Sequence, residues 1–110
     1  MISEQELELE LDWMRDNADA AAAAAAEVIR AEEDLKSTLA LVASASTAAT
    51  IAAQEREARA SVAVRKAIEE RVAAVYADRK FRLRYAAAEA RIEAWRTQQA
   101  NARAEGKAYS

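Results

Sequence analysis

The sequence lacks cysteine, histidine and proline, and it contains one glycine and only six aromatic residues, three of them Tyr. Without cysteine there is no disulfide framework and no thiolate chemistry. Without histidine the chain lacks the commonest metal ligand and the usual general base near neutral pH. The residues that β-turns and hairpins require are also nearly missing. We therefore expect an all-α protein that is not an enzyme and has no catalytic residue, no cofactor and no metal site.

Long hydrophobic runs are missing as well. The longest uninterrupted apolar stretch is Ala20–Ala26, much shorter than the roughly 20 residues that a membrane-spanning helix needs. The chain begins Met1-Ile2-Ser3-Glu4 and continues into acidic sequence, unlike a signal peptide with its basic start and apolar centre. These features predict a protein without membrane association and with a cytoplasmic location.

Alanine and charged residues are abundant. Alanine makes up about 30% of the 110 residues, far above ordinary usage, and favours helix. The net charge of -3 conceals an asymmetry: residues 1–34 carry eleven acidic and two basic side chains, whereas residues 55–110 carry eight acidic and thirteen basic ones. A length of 110 residues suits a single domain, and the uneven charge favours self-association or binding to a polyanion.

The first predicted helix spans about residues 3–43. Ser3 and Glu6 have the spacing of a capping box, in which each side chain bonds the other residue's amide. Apolar residues then recur at alternating intervals of three and four, which is typical of a coiled coil. Glu32 lies in this register, either as a buried charge paired with Arg71 or Lys66, or as a partly exposed residue.

Serine and threonine interrupt the helical pattern at about residues 44–50, where we predict a bend with Ser46 or Thr47 capping the following helix. The chain is then predicted to be helical over 51–105, with a possible break at Ser61 and a C-cap at Gly106. The apolar stripe of this half slips phase between Val75 and Phe81, which are six residues apart.

Together these patterns predict a long, antiparallel, alanine-rich helical hairpin that resembles a coiled coil. Alanine seams bury little apolar surface, and several large aliphatic side chains would stay exposed to water in such a hairpin. We therefore expect it to pack in a homo-oligomer. The core and oligomer seam is predicted to contain Leu7, Leu11, Met14, Val28, Leu35, Leu39, Ile68, Val72, Ile92 and Trp95.

One segment of the second half combines cations with aromatic residues. Arginines that follow phosphates, with aromatic rings for base stacking, are typical of single-strand binding. The same residues are also compatible with a core stripe whose charged flanks pair with the acidic first helix. The candidate nucleic-acid contacts are Arg79, Lys80, Arg82, Arg84, Arg91 and Arg96, with Phe81 and Tyr85 as stacking candidates.

Three stretches of the chain resemble a family of small helical proteins encoded by tailed phages and prophages. They are Leu11–Asn17, Ala52–Ala58 and Ala90–Thr97, the last followed by Ala100–Glu105. Genes of this family often accompany phage recombination and replication genes. More distantly, the helical layout and basic C-terminal half look like the UvsY-type recombination mediators, which are helical oligomers that bind single-stranded DNA and help to load a recombinase.

The resemblance implies a phage recombination accessory that works in the host cytoplasm. Such a protein would bind single-stranded DNA and help to load a recombinase or annealing protein, and its partners would be itself, single-stranded DNA and a recombinase or single-strand-binding protein. The alternative is a helical protein-binding adaptor, or an inhibitor of a host nuclease or defence complex, which the acidic first helix favours.

Overall fold

The computed structural model describes residues 1–109 and shows three helices and no strand among them. They are α1 (Glu4–Ser44), α2 (Ile51–Ala60) and α3 (Val62–Tyr109). The predicted all-α fold is confirmed. In residues 1–109 no helix has a stretch that is both long and apolar enough to span a bilayer.

Helix α1 begins with the predicted capping box. The Glu6 amide donates to Ser3 Oγ at 3.1 Å, and the Ser3 amide donates to Glu6 Oε2 at 3.4 Å. Glu4 and Glu6 lie in the first turn, where the helix dipole favours negative charge. The helix starts and ends one residue later than the sequence-based range of 3–43.

The cap of α2 differs from the prediction. Thr50, with extended backbone at φ -123° and ψ 155°, accepts from the Ala53 amide at 3.1 Å. Ser46 instead lies within the connection, where its hydroxyl accepts from the Ala48 amide and donates to Glu57. The assignment of Ser46 or Thr47 as the cap is therefore wrong, because an N-cap must directly precede the first helical residue.

A single extended residue separates α2 from α3. Ser61 has φ -68° and ψ 152°, and its hydroxyl accepts from the Val64 amide at 3.2 Å while donating to the Ala58 carbonyl at 2.6 Å. One side chain thus satisfies both the end of α2 and the start of α3. The break falls at the residue that the sequence indicated as a capping candidate.

Gly106 does not terminate α3. The helix continues through it to Tyr109, and no described glycine has a positive φ, so the predicted C-cap at Gly106 is wrong. A glycine inside a helix costs only about 1 kcal/mol relative to alanine. Its neighbours Glu105, Lys107 and Ala108 are good helix formers, which explains why the helix passes through.

The chain packs into two compact units. The first combines Met1–Ala21 with the α3 residues from Lys80 onward, and the second is Ala22–Arg79. The assignment of one domain stays a prediction. In the second unit the buried apolar residues are Ala31, Ala58, Val64, Ala67 and Ala74, so the helices of that unit meet largely through alanine.

The stripe of α3 that packs within the units is shifted from the predicted one. In the second unit it follows Val64, Ala67, Ala74 and Asp78, and in the first it follows Phe81, Tyr85, Ala88, Ile92 and Trp95. The predicted phase slip lies where α3 passes from one unit to the other, and it stays a prediction. The prediction favoured large aliphatic residues, whereas small alanines allow the helices of the second unit to approach closely.

Ile68 and Val72 therefore lie outside the packing of the chain itself. Their exposures are 36% and 62%, which corrects their assignment to a core seam. A role for them in an oligomer seam stays a prediction.

We expect Thr50→Ala to lower the free energy of unfolding by about 1 kcal/mol, because it removes the hydroxyl that caps α2. The matched control is Thr47→Ala, an identical change at an exposed residue of the same connection. Urea unfolding followed by circular dichroism at fixed protein concentration measures both. Equal effects of the two substitutions would contradict the assignment of Thr50 as the cap.

Candidate functional site

A buried carboxylate in the first unit is held between two arginines. Glu10, with 4% of its surface exposed, accepts from Arg84 Nη1 at 2.7 Å and from Arg91 Nη1 at 3.2 Å. Arg91 also bridges to Glu6, with its Nη2 3.1 Å from Glu6 Oε2. Both oxygens of the Glu10 carboxylate are thus paired with a cation, which offsets the cost of removing the charge from water.

Aromatic side chains complete this cluster. The Arg84 guanidinium lies 4.5 Å from the centre of the Trp13 ring, a distance typical of a cation–π contact. Trp13 and Tyr85 meet edge to face, with ring centroids 5.3 Å apart and planes at 67°. The Tyr85 hydroxyl donates to the Met14 carbonyl at 3.0 Å. We call Glu6, Glu10, Trp13, Arg84, Tyr85 and Arg91 the Glu10 cluster.

Contacts in the first unit show the relative direction of its two segments. The Ile2 amide donates to Gln98 Oε1 at 3.1 Å, whereas Met14, further along α1, contacts Tyr85, earlier in α3. Residue numbers thus rise in one segment as they fall in the other, and the two segments run in opposite directions. The complete antiparallel hairpin stays a prediction.

The Glu10 cluster also corrects the predicted register of α1. Leu11 was assigned to the core and oligomer seam, but 48% of its surface is exposed, compared with 4% for Glu10. The less exposed positions of α1 in this unit include Leu7, Glu10, Met14 and Asn17. These residues also alternate by three and four, but the predicted register passes through Leu11 and includes neither Glu10 nor Asn17.

The other predicted seam residues divide between the two units. Leu7, Met14, Ile92 and Trp95 are half-buried in the first unit, and Val28, Leu35 and Leu39 are half-buried in the second. Glu32 is also in the second unit, where its Oε1 lies 3.4 Å from Arg71 Nη2 and both side chains are substantially exposed. Glu32 is therefore paired with Arg71 but not buried, which agrees with the alternative of a partly exposed residue.

The candidate nucleic-acid contacts differ in their surroundings: some are paired or packed within the chain, and others are exposed. Arg84 and Arg91 face the acidic residues of α1, and Tyr85 packs against Trp13. Phe81 is half-buried, and Arg96 is exposed beside Glu93, at 3.4 Å. The remaining candidates, Arg79, Lys80 and Arg82, are exposed. Their role in binding nucleic acid stays a prediction.

Sequence reasoning missed Glu10, Trp13 and Asn17 as packing residues. Asn17 Nδ2 donates to the Trp13 carbonyl at 2.9 Å, which provides a partner for its amide on the packed face of α1. A usable signal was present: Glu6 and Glu10 are one turn apart, and Arg84 and Arg91 are two turns apart. Such spacing places two carboxylates on one face of α1 and two guanidinium groups on one face of α3, and two faces of opposite charge are candidates for pairing.

The chemistry of the Glu10 cluster is that of a structural ion-pair network. Glu10 is too buried for direct access by a ligand, and the described side chains, those of residues 1–108, include no buried nitrogen or oxygen without a hydrogen-bond partner. No group of acidic side chains among those residues is arranged to hold a metal ion. Comparison of the chain with protein-family models, curated proteins and solved structures finds no match.

We expect Glu10→Gln to lower the free energy of unfolding by about 1–3 kcal/mol, because two arginines would then face a neutral amide. The control is Glu8→Gln, the same change at an exposed residue of α1, with an expected effect within about 0.5 kcal/mol. Chemical unfolding of both variants provides the measurement. Equal stability of the two variants would show that Glu10 does not determine the packing of this unit.

Proposed function

We propose that the chain is a self-associating helical protein that acts by binding other macromolecules as a homo-oligomer. The observation that supports this proposal is how little of the apolar surface the chain buries by itself. Among residues 1–108, whose side chains the structure describes, Val64 is the only large side chain that is fully buried, and the other buried apolar residues are alanines. A buried methyl group contributes about 0.8 kcal/mol, compared with roughly 1.5–3 kcal/mol for a buried leucine.

Large apolar side chains are exposed in both units. Leu9 is 65% and Leu83 is 71% exposed in the first unit, and Ile29 is 64% and Leu41 is 70% exposed in the second. Ile68, Val72 and Tyr76 add a ridge with i, i+4 spacing on α3. A helical surface with this much exposed apolar area favours partners that bring apolar surface of their own.

We expect the wild-type protein to sediment as an oligomer at low micromolar concentration and to dissociate on dilution. Sedimentation velocity over a hundredfold range of concentration measures both properties, and circular dichroism shows whether helix content follows the mass. A monodisperse monomer with full helix content over the whole range would overturn the proposed self-association.

A second proposal is that the oligomer binds single-stranded DNA as a recombination accessory. The resemblance to the phage family supports it, and so do the exposed cations Arg79 and Lys80. The pairing of Arg84 and Arg91 with α1 leaves fewer cations for phosphate than the sequence suggested. Repetition of the same weak site in an oligomer would compensate through avidity.

We expect Arg79→Glu/Lys80→Glu to weaken binding of a labelled single-stranded oligonucleotide by roughly tenfold or more, because log affinity depends on the number of phosphates neutralised. Fluorescence anisotropy at about 0.15 M salt provides the measurement. The control variant, Arg56→Glu/Arg59→Glu, has the same charge change at exposed positions. An equal loss in both double variants would indicate a net-charge effect, and undetectable binding by the wild type would overturn this second proposal.

The helical adaptor is a variant of the first proposal in which the bound macromolecule is a host nuclease or defence complex. Glu4, Glu8, Asp12, Asp16 and Asp19 are exposed on α1, and such an acidic surface suits a basic protein partner.

A further inference from the structure

An open groove in the first unit combines apolar and charged side chains. Its lining consists of Leu11, Met14, Glu89, Ile92, Glu93 and Arg96. Leu11 is 48% exposed, and Met14 and Ile92 are half-buried beside it. The groove therefore presents an apolar centre that the chain leaves uncovered, with carboxylates and one guanidinium along its α3 side.

The charges along the α3 side have a definite order. Glu89 and Arg96 are seven residues apart, which is two helical turns or roughly 10 Å, so they lie on the same face of α3. Ile92 and Glu93 lie midway between them. Glu89 is exposed, and Arg96 has an exposed contact with Glu93 at 3.4 Å.

We propose that this groove is the two-fold interface of a homodimer, in which the same groove of a second copy covers it with the two α3 helices antiparallel. The inference rests on the proposed self-association and names the surface that carries it. A two-fold axis midway between Ile92 and Glu93 places Glu89 of each copy opposite Arg96 of the other. Glu89 and Arg96 are thus complementary in charge across the axis, as a two-fold contact requires, whereas each Glu93 lies next to the axis and keeps its contact with Arg96 of its own copy, at 3.4 Å.

The order of charges selects the direction of the two copies. With the α3 helices parallel and in register, Glu89 would face Glu89 and Arg96 would face Arg96, and like charges in contact repel. The antiparallel arrangement replaces both repulsions with attractions. Leu11, Met14 and Ile92 of the two copies then close over the axis and lose their contact with water, which supplies the main favourable contribution.

We expect Glu89→Arg and Arg96→Glu each to raise the dimer dissociation constant by roughly tenfold or more, because each substitution turns two attractive pairs into repulsive ones. The double variant Glu89→Arg/Arg96→Glu restores the pairs with reversed sign and should return towards the wild-type constant. An equimolar mixture of the two single variants should form a heterodimer, because every cross-copy pair in it is attractive. Sedimentation velocity and fluorescence energy transfer between labelled copies measure these constants.

The control is Glu69→Arg, the same charge change at an exposed α3 position of the second unit, and it should leave the dissociation constant unchanged. Circular dichroism checks that every variant keeps its helix content. If the single variants associate as the wild type does, or if neither the double variant nor the mixture recovers, the groove is not the interface, although self-association itself would stand. A wild type that remains monomeric would overturn both the interface and the proposed function.

Discussion

The burial of the Glu10 carboxylate between Arg84 and Arg91 is the constraint on which the packing of the first unit depends. A buried charge without a partner costs several kcal/mol, so its position tolerates little displacement. Leu7, Met14 and Ile92 are only half-buried, and apolar contact is non-directional, so it does not by itself determine how far the helices slide or rotate. The ion pairs are more demanding, because two guanidinium groups must meet one carboxylate. Apolar contacts therefore supply attraction in this unit, and the Glu10 cluster selects the register.

In the second unit, small buried residues and helix caps take the place of the ion pairs in determining how the helices pack. Ala31, Ala67 and Ala74 are buried, and such residues allow close helix approach while contributing little free energy each. The Glu32–Arg71 pair of this unit is about half exposed, so it is worth well under 1 kcal/mol and does not determine the register by itself. The hydroxyls of Thr50 and Ser61 determine where the short helix α2 starts and ends.

The sequence was sufficient to predict the fold class and the start of α1, because helix propensity and the Ser3–Glu6 box are local properties. The register was not predictable in the same way. Position 10 carries glutamate and position 11 leucine, and hydrophobicity alone favours Leu11 for the packed face. Glu10 occupies that face because Arg84 and Arg91, more than seventy residues later in the chain, neutralise it. At Gly106 the local signal for a helix end was wrong. The helix continues through this residue because the residues around it are good helix formers.

These contacts change the interpretation of the charge asymmetry in the sequence. Part of the acidic excess at the start of α1 and part of the basic excess in α3 neutralise each other inside the first unit, through Glu6, Glu10, Arg84 and Arg91. An uneven charge distribution is therefore a weaker indication of polyanion binding than the composition suggests. The proposed self-association depends on a different property, the exposed apolar side chains, and in the proposed dimer the order of charges around them would limit how two copies meet. Binding to nucleic acid, if it accompanies assembly, must rely on cations that the chain does not use for its own folding.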